Sequence, residues 1–199
     1  MKTLMILMIF VVFIPNAFAE AYCSLRDPVA QISQLYPNKT NQLSIVKIVD
    51  DNTRSQVKRA LPSNDLHFSE LGKHTLYVAM NGTQALGYVH VRSEQSEWGL
   101  VEIVWSLDKN LRIKDFIFQR CRSPKKNIIN NQSFKKMFIG KSYQELKALL
   151  SSDGTTANNT LLAHAQSAPK LASVVLRCAL KTLLITEKLW GEELKRFNK

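Results

Sequence analysis

The chain has 199 residues, of which 45% are hydrophobic, 22% charged and 9% aromatic. Those proportions exclude a disordered or collagen-like chain and suffice for one domain with its own core. Lys and Arg number 27 against 16 Asp and Glu, giving a formal net charge of +11; this bears on partners and solubility rather than on fold.

The first residues address the compartment. Met1-Lys2-Thr3 is a short basic start, Leu4 to Ile14 is unbroken and apolar, and Pro15-Asn16 interrupts it. Ala17-Phe18-Ala19 then places small residues at −3 and −1 before Glu20. This is the pattern of a cleaved secretory signal over residues 1–19. The apolar run is about half of the roughly 20 residues that a bilayer span needs. A retained inner-membrane anchor is the alternative. Cys23 follows Glu20-Ala21-Tyr22, which is not the small-residue box of a lipoprotein. A periplasmic location follows, and the basic mature chain is expected to meet an anionic membrane surface or an anionic ligand, not nucleic acid. The plain alternative is a solvated basic face.

Export permits disulfides. Cys23, near the mature N-terminus, is expected to pair with Cys121, at a strand end. The alternative is a reactive Cys121 whose thiol pKa is lowered by Arg120 and Arg122. Cys178 lies within an apolar helical stretch and reads as a buried thiol.

Along the mature chain, Asp27-Pro28 predicts a capped short helix through Ile32 and Leu35, ended by Pro37. Leu43 to Val49 is β-branched and reads as a strand. Thr53 to Leu61 reads as a short helix with Val57 inward, and Pro62 to Leu71 as turns. His74 to Met80 and Ala85 to Arg92 are strands joined at Asn81-Gly82, a strong hairpin signal. A polar turn over 93–97 leads into a strand from Trp98 to Leu107. Asp108-Lys109-Asn110 turns the chain into a further strand, Leu111 to Arg120. Consecutive strands of this kind make a meander. Short helices are predicted at Ser133 to Phe138 and, capped by Ser142, at Tyr143 to Leu150, followed by a loop over 151–159. Leu171 to about Phe197 reads as one long helix opened by Ala168-Pro169, its first half apolar on most sides. The fold class is α+β: an antiparallel meander with helices packed on one face and a long C-terminal helix.

Motifs for metal, nucleotide or acyl chemistry are missing from the sequence: His67, His74, His90 and His164 fall in separate elements, and no glycine-rich phosphate loop or nucleophile elbow occurs. Trp98, Trp105 and Tyr88 on neighbouring strands suit a flat aromatic ligand or, more simply, a core.

Gly87-Tyr88-Val89-His90-Val91, Trp98-Gly99-Leu100-Val101-Glu102-Ile103 and the Leu107-Asp108 turn into Ile113 resemble, in order, the strand run of the FMN-binding domain found in the Rnf complex G subunit and the sodium-pumping NADH:quinone reductase C subunit. Gly140-Lys141-Ser142 stands where that family has a Gly-Lys/Arg-Ser segment. The resemblance spans roughly Thr75 to Leu189. It divides the chain into a leader (1–19), an N-terminal helix and strand extension (20–72) and an FMN-binding-like domain (73–199).

In the family, a Ser-Gly-Ala-Thr motif opens the last helix, and its threonine oxygen carries FMN through a phosphoester. Here the matching residues are Ser167-Ala168-Pro169-Lys170. Lysine has no hydroxyl to esterify, so attachment of that kind is excluded at this position. Thr155, Thr156 and Thr160 lie upstream without a supporting context.

The resemblance implies non-covalent FMN, with Ser167, Lys170 and Ser173 at the phosphate and Trp98 and Trp105 near the ring. A helix dipole offers about 0.3–1 kcal/mol and a charge-assisted hydrogen bond about 1.5–3 kcal/mol, while Pro169 removes one N–H donor. The implied role is electron transfer with a membrane or periplasmic redox protein. The alternatives are another anion in the same site, or a flavin-free domain acting as a partner-binding or assembly subunit.

Overall fold

Alternation with period two turns Leu76, Val78 and Met80 to one side of their strand and leaves Tyr77 and Ala79 on the other. The computed structural model, which describes residues 27–197, builds this pattern into a single five-stranded antiparallel sheet of order β1-β2-β3-β4-β5. The strands are β1 (Asn41–Val49), β2 (Gly72–Asn81), β3 (Gln84–Ser96), β4 (Gly99–Leu107) and β5 (Ile113–Arg120). The sequence-predicted α+β meander with a long C-terminal helix is the architecture observed. The leader and Cys23 lie outside the described residues.

Two hairpins differ in detail from expectation. Asn81 pairs with Gln84, so the β2–β3 turn is Gly82-Thr83, with the left-handed φ of +57° at Gly82. The turn between β3 and β4 is shorter than the predicted 93–97 segment. Ser93, Glu94 and Gln95 stay in β3, paired with Glu102, Val101 and Leu100. Only Glu97-Trp98 remains as the turn, so Trp98 is not a strand residue. Ser96 Oγ fastens it by donating to Gly99 O at 2.6 Å and accepting from Trp98 N at 3.2 Å. Polarity made this stretch read as a turn, yet Ser93 and Glu94 are buried.

Helices cover both faces, not one. Helix α1 (Val29–Leu35) seats Ile32, Leu35 and Tyr36 against Ala79, Val89, Val91 and Val104. Its N-cap is Pro28, without a side-chain bond, so Asp27 does not cap it as expected. On the other face lie α2 (Asp51–Ala60), capped by Asp50 through Thr53, then α3 (Lys126–Ile129), α4 (Gln132–Lys135), α5 (Tyr143–Lys147), α6 (Asn159–Leu162) and the 26-residue α7 (Pro169–Leu194). A 3-10 turn over Phe68–Glu70 precedes β2, and another over Lys195–Phe197 continues α7. Ser142 caps α5 in a reciprocal box with Glu145. The first half of α7 is buried on nearly every side, while Glu187, Lys188 and Glu192 beyond it are exposed. Among the described residues no helix is long and apolar enough to cross a membrane.

Strand β1 pairs along its whole length with β2, and Val57, Leu61 and Leu66 enter the same core as α7. Residues 41–72 are thus part of the sheet and core of the following residues, not an appended extension.

One glycine has a structural reason. A Cβ at Gly87 (φ +152°) would fall 2.4 Å from both Leu107 O and Tyr36 Oη. Its absence lets the Tyr36 hydroxyl donate to Leu107 O at 2.6 Å, tying α1 to the sheet. Burial pushes the Tyr36 phenol up to about 12. Gly87→Ala should lower unfolding free energy by about 2 kcal/mol or more, measured by denaturant titration; an unchanged midpoint would refute this packing role.

Candidate functional site

Proline suits the first position of a helix, where its missing N–H has no partner to lose. Helix α7 therefore starts at Pro169, after Ala168, which provides no side-chain cap (φ −138°, ψ 43°). Ala168 N donates back to Ala165 O at 2.8 Å, which turns the chain into the helix. The positive end of a long helix is left uncapped beside the Glu97-Trp98 turn.

Two neighbouring concavities flank this end. One, of about 390 Å³, is bounded by Ser96, Thr156, Leu162, Ser173 and Arg177. The other, of about 350 Å³, is bounded by Trp98, Ser123, Pro124, Lys125, Ser167 and Leu171. Glu97, Pro169 and Lys170 border both. The ridge between them carries the Lys170–Glu97 ion pair, 2.5 Å long, with side chains 74% and 55% exposed. A pair so open to water contributes about 0–1 kcal/mol and is easily exchanged. The far wall is a tied loop. Asp153 accepts from Ser151 Oγ at 2.6 Å and from Thr155 N and Oγ1. These bonds hold its carboxyl down to about 2.

The predicted site residues divide. Ser167, Lys170 and Trp98 come together at the smaller cleft, with Trp98 53% exposed. Ser173 borders the larger cleft, but its hydroxyl is committed. It donates to Pro169 O at 3.0 Å and accepts from Ala157 N at 3.0 Å, so it has no proton left for an anion. Trp105 is apart from the cleft, seven positions from Trp98 and roughly 20 Å along the strand. It is fully buried, packs on Phe116 at 5.0 Å and donates from Nε1 to Cys178 Sγ at 3.4 Å. Tyr88 is likewise core. Thr156 lines the larger cleft, whereas Thr155 Oγ1 is held by Asp153 and Thr160 is an exposed residue of α6.

Cys178 is the buried thiol expected, and burial raises its pKa to about 12. Cys121 is half-buried, and burial pushes its thiol up, outweighing the Ser123 N–H bond and the Lys126 charge. The reading of Cys121 as an activated thiolate is therefore corrected. Its expected partner, Cys23, is outside the described residues.

Sequence reasoning missed the charge line under α7. His90, Arg92 and Glu94 share one face of β3 and meet α7 inside the protein. Arg92 Nη2 donates to Glu70 Oε1 at 2.7 Å, with both side chains 2% exposed. Lys181, on α7, lies 3.1 Å from Glu70 Oε2 and 3.1 Å from Glu94 Oε2, and Arg177 Nε lies 3.7 Å from Glu94 Oε1. Burial raises the Glu70 pKa, but Arg92, Lys181 and the His67 N–H outweigh it and hold the carboxyl below its usual range.

Behind this lies a histidine pair with ring centroids 5.8 Å apart. His74 Nε2 donates to Glu70 O at 2.9 Å. His90 Nδ1 donates to Thr186 Oγ1 at 2.9 Å, since that hydroxyl spends its proton on Thr182 O. Burial, aided by the Arg92 charge, lowers both imidazoles, His74 to about 4. The period-two spacing of His90, Arg92 and Glu94 was the available signal, and it was hidden by ending the strand at Arg92.

Among the described residues, no group of three or more His, Cys, Asp or Glu side chains is arranged to hold a metal ion. No protein-family model matches the chain, and no curated protein does.

The buried histidines set an acid limit. An unfolded His74 binds protons below its ordinary 6.5 while the folded one resists until about 4. Stability is then complete above 6.5 and declines as pH falls towards 4, by on the order of 2–3 kcal/mol from this group. His90 and Glu70 act in the same direction. Urea titrations between pH 7 and 4 should show this loss, reduced in His74→Gln; a flat profile would contradict it.

Proposed function

We propose that the protein is an exported flavin carrier that holds FMN non-covalently in the cleft beside the start of α7 and exchanges electrons with a membrane or periplasmic redox protein. The supporting observation is that the tract Ser167–Lys170 borders concavities of about 350 and 390 Å³ and faces the half-exposed Trp98. These volumes lie within the usual range of small-molecule sites, about 300–1,000 Å³.

Four side chains fit an FMN. Lys170 meets the phosphate by exchanging its exposed Glu97 partner for a stronger anion. Ser167 adds a hydroxyl, and Lys125 a second cation on the same cleft. Trp98 offers the indole face for ring stacking. Ser173 and Trp105 do not fit, the one because its proton is spent and the other because it is sealed in the core. FMN, when bound, supplies one- and two-electron chemistry, and the protein's share is binding, orientation and electrostatics. Glu97 opposes the phosphate by charge and sets an upper limit on affinity.

The second reading, a flavin-free domain that binds a partner, is favoured by Pro169 and by the carboxylate already seated on Lys170. Protein purified from a flavin-replete host separates the two. It should show visible flavin absorbance of on the order of one flavin per chain, released by acid. A colourless preparation that ignores added FMN would leave only the second reading.

Two variants test the site. Lys170→Glu should abolish FMN binding with little change in melting temperature, because Lys170 is exposed. Glu97→Gln should tighten it by up to about fivefold. Wild-type affinity in Lys170→Glu would refute the assignment.

A further inference from the structure

We infer that the corner following β5 is a docking surface for anionic phospholipid, which shares Trp98 and Lys125 with the proposed flavin cleft but does not require a bound flavin. The segment Arg120-Cys121-Arg122-Ser123-Pro124-Lys125-Lys126 carries four cations and no acid. It leaves the sheet at the same end as the Glu97-Trp98 turn, and Ser123 to Lys125 share a cleft wall with Trp98. Arg122 and Lys125 are exposed, and none of the ion pairs among the described residues engages Arg120, Arg122, Lys125 or Lys126. Lys126 stands 6.0 Å from the Phe118 ring centre, a weak hold. The nearby acids are Glu102, paired in register with Arg120 and buried, and Glu97 on the hairpin tip, whose carboxylate is paired with Lys170. Elsewhere the cations are more often answered, as where Lys135 meets Asp115 and Arg112 meets Glu145.

An unanswered basic run attracts phosphate-bearing surfaces. Trp98 decides among them. A tryptophan 53% exposed on a hairpin tip costs hydrophobic free energy in water and is at home at headgroup depth, where its ring is buried and its N–H stays wet. The pairing of one exposed indole with surrounding cations fits an anionic bilayer better than a nucleic acid, because a lone tryptophan offers no row of rings on which successive bases could stack.

The test is co-sedimentation of the full chain with vesicles of phosphatidylcholine alone or with phosphatidylglycerol added, at low and high salt. Arg122→Glu/Lys126→Glu removes two cations that do not line the flavin cleft. Arg59→Glu/Lys188→Glu makes the same change in net charge at exposed positions elsewhere. The wild type should bind the phosphatidylglycerol vesicles in a salt-sensitive way, the first variant at least about tenfold more weakly, and the second nearly as well as wild type. Trp98→Ser should also weaken binding.

Equal binding to both vesicle types would trace association to an apolar segment and overturn the proposal. So would equal losses in the two charge variants, or capture of a DNA duplex without vesicles. FMN binding by Arg122→Glu/Lys126→Glu should match wild type, so failure of either proposal can be told from failure of the other.

Discussion

The seam between α7 and β3 constrains everything else in this protein. It buries Glu70, Arg92, Lys181 and Glu94 together with a neutral histidine pair, in a region otherwise packed with Leu, Val and Trp. Charges so far from water are tolerated only when each finds its opposite at close range, and removing one partner of such a pair costs about 3–5 kcal/mol. A slip of α7 by one turn would separate Lys181 from both carboxylates. The seam therefore fixes position more than it adds stability. Apolar contacts would allow several registers, whereas the Glu70–Lys181–Glu94 arrangement allows one.

That register has consequences at the surface. With Lys181 held to Glu70, the start of α7 lies some eleven residues away, about 16 Å along the helix, next to the tip of the β3–β4 hairpin. Lys170 reaches Glu97 there, and the clefts open on either side. Arg177 couples the two zones, since it touches Glu94 in the seam and Thr155 in the cleft wall. The clefts are framed by a strand hairpin and the first turns of a buried helix, with loop residues such as Thr156 and Lys125 completing the walls.

Much of the fold was legible because local signals and burial agreed. The β-branched run before Val49, the Asn81-Gly82 hairpin and the Ser142 cap with Glu145 each named their element before any packing was considered. The failures have physical causes too. Ser93 and Glu94 read as a turn because they are polar, and only tertiary partners explain why they belong to a strand. Helix α1 is fastened to the opposite face where the missing Cβ of Gly87 makes room for the Tyr36 hydroxyl, a contact between residues 36 and 107 that no local pattern announces.

The candidate site was half legible: Ser167 and Lys170 were picked out by the resemblance of Ser167–Lys170 to a family motif at a helix start, and Trp98 by its place in the strand run that shares the resemblance. Trp105 looked equivalent to Trp98 in sequence, but period-two alternation turns it into the core. The commitment of the Ser173 hydroxyl depends on a loop sixteen residues upstream.

The central claim is that a flavin phosphate and ring occupy the cleft beside Lys170. The most direct measurement is an amide NMR titration of the isotopically labelled protein with FMN. The account predicts saturable shifts concentrated at Ser96 to Trp98, Ser123 to Lys125 and Ser167 to Leu171, with the β1 edge silent. Saturable shifts centred on any other part of the sheet, or none at all, would contradict it.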